Sequence, residues 1–277
     1  MIQRLVMGLV LSALIGGLGY WRRALSTSGL LGAILVGTVI FGLGGWVWGL
    51  LLITFFVSSS WLSHYREADK QAITDSFAKG GRRDFGQALA NGGLGALLAV
   101  AFALRPNPLF FAAFLGVIGS VNADTWATEL GVLSRMSPRL ITSGQEVPAG
   151  TSGGVTGLGV WASLAGALLI GAVATALTQA ISLLRGNGWQ VNAVSYPLLA
   201  VIGGMAGSLF DSLLGATVQG IYFCDYCEKQ TERRIHRCGR STRPVRGWKW
   251  LNNDVVNLAA SAAGGFTAAL LALLVWR

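Results

Sequence analysis

Charged residues are scarce in this sequence of 277 residues. They make up 12% of it, whereas a soluble domain carries about 25%. Cysteine is scarcer still, and its three residues exclude a disulfide scaffold. Hydrophobic residues reach 53%, which excludes a disordered chain, and 39 glycines are far fewer than the one-third or so that collagen needs. The composition indicates a polytopic membrane protein.

Long apolar runs are abundant, and a helix needs about 20 apolar residues to cross a bilayer. The run 29–62 has no charge and is too long for one straight span, so the glycines at 42–45 predict a break. Residues 5–20 are interpreted as a retained anchor, because Trp21-Arg22-Arg23 follows them instead of a small-residue cleavage site. The predicted fold class is all-α, a single transmembrane helix bundle of about eight spans, or seven if 29–62 is one tilted helix. The further predicted spans are 86–104, 109–133, 154–184, 194–222 and 254–276.

The net charge of +9 is explained by membrane topology, without nucleic acid as a partner. With eight spans, four of the 21 Lys and Arg residues fall on one side of the membrane, namely Arg4, Arg105, Arg185 and Arg277. The others fall in residues 21–28 and in the loops 63–85, 134–153 and 223–253. The positive-inside rule then predicts that these loops face the cytoplasm, or the stroma of an organelle, and that both termini lie on the other side.

Three acidic residues lie inside predicted spans: Asp124, Glu129 and Asp211. Such residues are costly in lipid and are functional candidates, although they can also lock helices together through buried polar partners. Asp124 and Asp211 are each about 10 residues from the basic end of their helices, which predicts a shared depth of about 15 Å. Two carboxylates at one depth repel unless a cation or a shared proton lies between them, and Mg²⁺ suits such oxygen ligands.

Polar residues accompany these carboxylates. Asn122, Thr125 and Thr128 make the helix around Asp124 unusually polar for a span. Asn253 and Asp254, at the start of the last span, add oxygen ligands on the same side, although Asp254 could equally cap that helix.

Two loops suit phosphate. Gly150, Thr151, Ser152, Gly153 and Gly154 precede an apolar helix, so their backbone N–H groups form either a phosphate cradle or a plain turn. The second loop carries cations, and two amides follow one turn apart on the next helix, so it suits phosphate binding, with a merely basic positive-inside loop as the alternative. Its candidate residues are Lys79, Arg82, Arg83, Gln87 and Asn91.

The cysteines cluster with a histidine in the last long loop. Cys224, Cys227, His236 and Cys238 provide four soft ligands within 15 residues, a Cys₃His set that suits tetrahedral zinc. The alternatives are reduced thiols that only pack, and a redox role.

Several blocks of the sequence are familiar as a set. They are 87–92, 122–131, 138–142, 150–156, 211–219 and 253–257. In this order they resemble the integral membrane family that includes the plant and cyanobacterial phytyl-phosphate kinases, and the similarity spans roughly residues 15–270. The Cys/His loop is also similar to that of the family. The absence of a long transit peptide at the start favours a prokaryotic or mature-form chain.

The resemblance implies phosphoryl transfer from a nucleoside triphosphate, with CTP preferred, to an isoprenoid monophosphate. In the vitamin E branch this reaction makes phytyl diphosphate for tocopherol and phylloquinone. Combined with the residues above, it implies that Asp124 and Asp211 hold Mg²⁺, assisted by Glu129, Asn253 and Asp254. Arg82 and Arg83 would bind phosphates, 150–154 would wrap the triphosphate, and Arg139 lies in a family block.

Other functional classes compete with this interpretation. Intramembrane carboxylates and glycine-rich helices also fit a cation- or proton-coupled transporter, which would not need long basic loops. A CDP-alcohol phosphotransferase or a prenyltransferase is disfavoured, since neither an Asp-Gly-x-x-Ala-Arg nor an Asp-Asp-x-x-Asp run is present. A nonenzymatic scaffold is the remaining alternative.

Overall fold

The computed structural model describes residues 2–74 and 82–276, with side chains from 71 to 74 left aside. Within these ranges, eight helices are long and apolar enough to cross a membrane. They are α1 (Ile2–Trp21), α2 (Thr27–Val39, extended by a π-helical turn at Ile40–Gly44), α3 (Trp46–His64), α5 (Phe85–Leu104), α6 (Pro108–Gly131), α7 (Gly157–Leu184), α8 (Tyr196–Thr217) and α9 (Asn253–Val275). A short helix, α4 (Glu67–Thr74), follows α3, and a 3₁₀ turn (Val191–Ser195) precedes α8.

The uncharged run 29–62 is divided at the predicted glycines. Gly45 has a φ of 88°, a left-handed conformation that glycine adopts without steric cost, and it separates the π-helical turn from α3. The run therefore forms two separate helices, so the count of eight candidate spans is confirmed among the described residues and the alternative of one tilted helix is wrong.

Polar side chains cap five of the helices at their first turn. Such caps satisfy backbone N–H groups that have no partner inside the helix. The capping residues are Ser26, Asp84, Asn107, Thr156 and Asn252. On α9 the side chain of Asn252 accepts from the N–H of Val255, so the alternative in which Asp254 is the cap is wrong.

Helix α6 occupies the centre of the bundle, and it is buried without interruption from Ala112 to Ala123. It packs against α3, α5, α7, α8 and α9. Glycines allow this packing: a Cβ on Gly116 would lie 2.3 Å from the carbonyl oxygen of Gly264, and one on Gly203 would lie 2.7 Å from the same oxygen. Small residues are what membrane helices use to approach this closely.

The described parts of the connections, 21–27, 64–74, 82–85, 131–157 and 217–253, meet at one end of the bundle, here called the loop end. The N–H of Arg83 donates to the carbonyl of Ala24, and Ser152 donates to Gln219 across the same end. At the opposite end the indole of Trp276 donates to Ser195. The assignment of the loop end to the cytoplasm stays a prediction.

The long loops contain short strands that were not predicted from the sequence. β1 (Arg139–Leu140) pairs antiparallel with β2 (Gly154–Val155). A three-stranded antiparallel sheet, with order β4-β3-β5, is formed by β3 (Ile221–Cys224), β4 (Lys229–Thr231) and β5 (Arg243–Arg246). These strands are two to four residues long, too short for a period-two pattern to be recognised.

Candidate functional site

A polar cavity of about 1070 Å³ opens at the loop end. Helices α3 to α9 and the loop between α6 and α7 contribute to its wall, together with residues 221–246, which contain β3 to β5 and are here called the sheet unit. The structure brings most of the predicted site residues to this one cavity: Arg83, Gln87, Asn91, Asp124, Thr125, Thr128, Glu129, Gly150, Thr151, Ser152, Gly153, Gly154, Asp211 and Asn253.

Asp124 on α6 and Asp211 on α8 are the acidic pair of the cavity, and they are close enough for their charges to interact. The Oδ2 atom of Asp211 is buried and has no hydrogen-bond partner among the described residues. Thr125 and Asn253 line the same wall and add neutral oxygen atoms. A carboxylate pair with an unused oxygen and neighbouring oxygen donors fits the ligand set that Mg²⁺ takes in proteins.

Arg83 brings positive charge to the same cavity. Its guanidinium donates to Ser60 Oγ at 2.9 Å and lies over the rings of Phe55 and Phe56, 5.7 Å and 5.9 Å from their centroids. Burial lowers the pKa of Arg83, and the negative charge of Glu129 opposes that shift. Arginine stays protonated in proteins even when it is buried, so Arg83 is a cation. Its contacts hold it in place, and it therefore suits an anionic ligand.

The backbone fixes the position of Arg83 from the other side. Its N–H and carbonyl bond to Ala24 and Ser26, 3.0 Å in both cases. A Cβ on Gly29 would lie 2.0 Å from the Arg83 carbonyl oxygen, so only glycine allows α2 to approach this closely. Gln87 and Asn91 follow Arg83 on successive turns of α5, both on the cavity wall.

The glycine-rich loop at 150–154 is packed against the end of α8. Gly153 has a φ of 83°, and a Cβ there would lie 2.4 Å from the backbone nitrogen of Ala216. Ser152 Oγ donates to Gln219 Oε1 at 2.6 Å, and Arg246 donates to the carbonyl of Gly215 at 2.7 Å. The loop is therefore held in place by α8 and β5, and it is not a free turn.

Glu129 has partners that the sequence did not reveal. Its Oε1 accepts from Ser63 and its Oε2 accepts from Lys70, both at 2.6 Å. The Lys70 side chain is only 3% exposed, and its ammonium also donates to the carbonyl of Leu62. With both oxygens engaged, Glu129 connects α3, α4 and α6, which suits a positioning role at the cavity wall better than the predicted assistance to a metal.

Breaking this ion pair should cost stability. We expect Lys70→Met to lower the free energy of unfolding by about 2–4 kcal/mol, because it leaves a partly buried carboxylate without its counter-charge. Thermal unfolding in detergent measures the effect. Asp69→Asn, which breaks the exposed ion pair with Arg66, is the control and should cost less than about 1 kcal/mol. Equal unfolding temperatures for Lys70→Met and the wild type would contradict this assignment.

Apart from the Cys/His cluster, four predicted residues that the structure describes lie outside the cavity wall. Asn122 is fully buried, donates to Gly166 and accepts from Ser58 and Ser59, so its position contradicts phosphate binding and it instead joins α3, α6 and α7. Arg139 is on the surface, where it pairs with Glu146 at 2.6 Å, which contradicts a site role. The exposed Arg82 and the helical Asp254 are the other two, and Lys79 lies outside the described residues.

Other residues of the cavity were missed. Gln219 is 1% exposed, accepts from Ser152 and donates to Glu232 at 2.9 Å. Glu232 and Arg237 reach the cavity from the sheet unit. From the sequence alone, Glu232 and Arg237 could not be distinguished from the other charged residues of the loop 223–253, because neither residue type nor spacing sets them apart. Asn257 could have been predicted, because it lies four residues after Asn253 and therefore on the same face of α9.

The Cys/His cluster lies beside this cavity. The ligand atoms of Cys224, Cys227, His236 and Cys238 all lie within 4.8 Å of one another. The local spacing of these four residues therefore predicted their meeting correctly, while the identity of any bound ion stays a prediction.

Comparison with known proteins agrees with the blocks found in the sequence. The protein-family model described as "Integral membrane protein DUF92" matches residues 10–265 of this chain. Protein PGR of Arabidopsis thaliana is 31% identical, covering 99% of this chain and 98% of the relative. Uncharacterized membrane protein MJ0933 of Methanocaldococcus jannaschii is 30% identical, covering 90% and 86%. Protein VTE6, chloroplastic, also of Arabidopsis thaliana, is 24% identical, covering 89% and 65%.

No solved structure matches this chain. The family match nevertheless covers nearly the whole bundle, and it agrees with the eight spanning helices. The protein is thus an integral membrane protein that belongs to the DUF92 family.

Proposed function

We propose that this protein is a membrane-embedded kinase that transfers a phosphoryl group from a nucleoside triphosphate to an isoprenoid monophosphate. The observation that carries the proposal is the cavity at the loop end. There an acidic pair, Asp124 and Asp211, shares one space with the fixed cation Arg83 and with the glycine-rich loop. The resemblance of the sequence blocks to phytyl-phosphate kinases supports the same reaction class, and phytyl phosphate is the acceptor we favour.

The residues divide into two groups around the reacting phosphates. Asp124 and Asp211 would hold Mg²⁺, which would neutralise charge on the donor phosphates when bound. The N–H groups of Thr151 and Gly154 donate to the carbonyls of Pro148 and Thr151, so those of Gly150, Ser152 and Gly153 would bind the triphosphate, and Arg83 would hold the acceptor phosphate. An acceptor phosphate oxygen forms the new bond to the γ-phosphorus, while the bond from that phosphorus to the β,γ-bridging oxygen breaks and the nucleoside diphosphate leaves. No general base is required, since the acceptor phosphate is already an anion.

In this proposal the isoprenoid chain begins in an apolar groove beside the cavity. It runs between α1, α2, α3 and α5, and its wall is almost entirely apolar, including Ile15, Ala33 and Ile53. Arg83, Gln87 and Asn91 line both this groove and the polar cavity. An acceptor with its phosphate at Arg83 could therefore place its hydrocarbon chain in the groove.

The test uses the full-length protein, purified in detergent. Radiolabelled CTP, UTP and ATP, each carrying the label on the γ-phosphate, are offered with phytyl, geranylgeranyl or farnesyl monophosphate in the presence of Mg²⁺. We expect a labelled lipid diphosphate, favoured by CTP and by phytyl phosphate, which does not form when Mg²⁺ is omitted. The absence of product with every donor and acceptor, from protein that unfolds cooperatively, would overturn the proposal. The cation- or proton-coupled transporter alternative is tested on the same sample by measuring cation and proton flux across liposomes that contain the protein.

A further inference from the structure

We infer that Cys224, Cys227, His236 and Cys238 bind one Zn²⁺ ion, and that this ion holds the β3–β5 sheet unit in the position from which Arg237 reaches the cavity. The zinc site itself does not depend on the proposed kinase activity. The role given to Arg237 does rest on that proposed function, because it assumes an anionic nucleotide in the cavity.

The spacing of the ligand atoms supports a tetrahedral metal. With Zn–S near 2.3 Å and Zn–N near 2.0 Å, a tetrahedron separates two sulfur ligands by about 3.8 Å and a sulfur from a nitrogen by about 3.5 Å. The Sγ atoms of Cys224 and Cys238 are 3.7 Å apart, and His236 Nδ1 is 3.3 Å from Cys238 Sγ. All four ligand atoms lie within 4.8 Å of one another, so one ion can contact them all.

Two tight turns present these ligands to each other. Cys224 ends β3 and Cys227 lies in the turn to β4. His236 and Cys238 lie in a second turn, closed by a bridge between Ile235 and Ser241 and by the bond from the N–H of Gly239 to the carbonyl of His236. Paired turns of this kind are typical of small zinc units.

The sheet unit has little else to stabilise it as a separate body. Its strands have two to four residues, and β4 and β5 consist largely of charged or polar residues. Apart from the β3 residues Ile221, Tyr222 and Cys224, few of its hydrophobic side chains are buried. Units that cannot bury a sufficient core are commonly stabilised by a bound metal, whose binding energy then becomes folding energy.

The unit is also directly connected to the cavity. Arg237 lies between the ligands His236 and Cys238 in sequence, and it lines the cavity. Glu232, which follows β4, accepts from Gln219, and Gln219 accepts from Ser152 of the glycine-rich loop. A metal that fixes the two turns therefore also fixes the part of the cavity wall that Glu232 and Arg237 form.

Metal content tests the zinc site without any reference to catalysis. Full-length protein, expressed with supplementary zinc and purified without chelators, should contain about one zinc per chain. His236→Ala and Cys238→Ser should lose it. The chain has a single other histidine, exposed His64, and three cysteines in total, so His64→Ala is a matched control that should keep the metal. A mercurial reagent should release the zinc as it titrates the three thiols, and cobalt should give the visible spectrum of a Cys₃His site.

Metal-free wild-type protein whose three thiols are all freely reactive would overturn the zinc site. Persistence of zinc in both His236→Ala and Cys238→Ser would equally overturn it.

A second comparison tests the role of Arg237. Arg237→Ala should keep its zinc but weaken CTP binding, measured with Mg²⁺ by equilibrium dialysis, by about tenfold or more through loss of a charge-assisted contact. Arg240→Ala, which removes an arginine that stacks on Tyr226, should change neither zinc content nor affinity. Unchanged nucleotide affinity in Arg237→Ala would overturn the nucleotide-binding role of Arg237 but leave the zinc site intact. Failure of the wild type to bind any nucleotide would instead overturn the proposed function.

Discussion

Replacing either Asp124 or Asp211 with asparagine is expected to lower kcat by about 100-fold or more, because a preorganised charge at the reacting phosphates is lost. Both carboxylates line the cavity, and the unused Oδ2 of Asp211 is available to a cation. The reaction is followed with labelled CTP and phytyl phosphate. Asp69→Asn is the control: it removes a half-exposed carboxylate on α4 that pairs with Arg66, and it should retain wild-type activity.

The same variants should separate a metal-binding role from damage to the fold. Without divalent ions the two carboxylates repel, so Asp124→Asn and Asp211→Asn should unfold at the wild-type temperature or above it in EDTA. Added Mg²⁺ should raise the unfolding temperature of the wild type and of Asp69→Asn, but have little effect on the two cavity variants. Full activity in folded Asp124→Asn, or an equal response of all four proteins to Mg²⁺, would exclude the proposed metal site.

The spanning helices and the central pair of the site could be predicted from sequence because helices have a fixed rise. Counting residues from the helix ends placed Asp124 and Asp211 at one depth, and both do line a single cavity. The length of the run 29–62 required a break, and the glycines at 42–45 located it, as the left-handed Gly45 confirms. Hydropathy, the positions of glycines and the distance of a residue from its helix end are local properties, so they can be determined without knowing the tertiary structure.

The partners of the polar residues could not be predicted in the same way. A buried amide can bind a ligand or join helices, and Asn122 joins helices through contacts with Ser58 and with Gly166, 64 and 44 residues away. In the sequence Lys70 looks like any other basic residue of its loop, but it lies on α4 and its ammonium donates to Glu129. These outcomes depend on tertiary contacts that no spacing rule contains, whereas the Cys/His cluster could be found because its four residues are close in sequence.

The apolar groove gives a second large expected effect. Ala33 lies on the groove wall of α2, where a Cβ on Gly16 of α1 would lie 3.9 Å from it. Ala33→Phe should fill this space and exclude several methylenes of a long acceptor. Since each buried methylene contributes about 0.8 kcal/mol, we expect the KM for phytyl phosphate to rise by about tenfold or more.

Acceptor length makes this test specific. Dimethylallyl phosphate has too short a chain to reach far into the groove, so its kcat/KM in Ala33→Phe should stay within about twofold of the wild type. Leu31→Phe is the matched control, because this side chain is on the same helix, is 62% exposed and lies outside the groove. Equal losses for both acceptors would indicate damage at the phosphate site, and an unchanged KM for phytyl phosphate would place the chain elsewhere. A loss confined to long acceptors is the result that requires the chain to pass between α1 and α2, with its phosphate at Arg83.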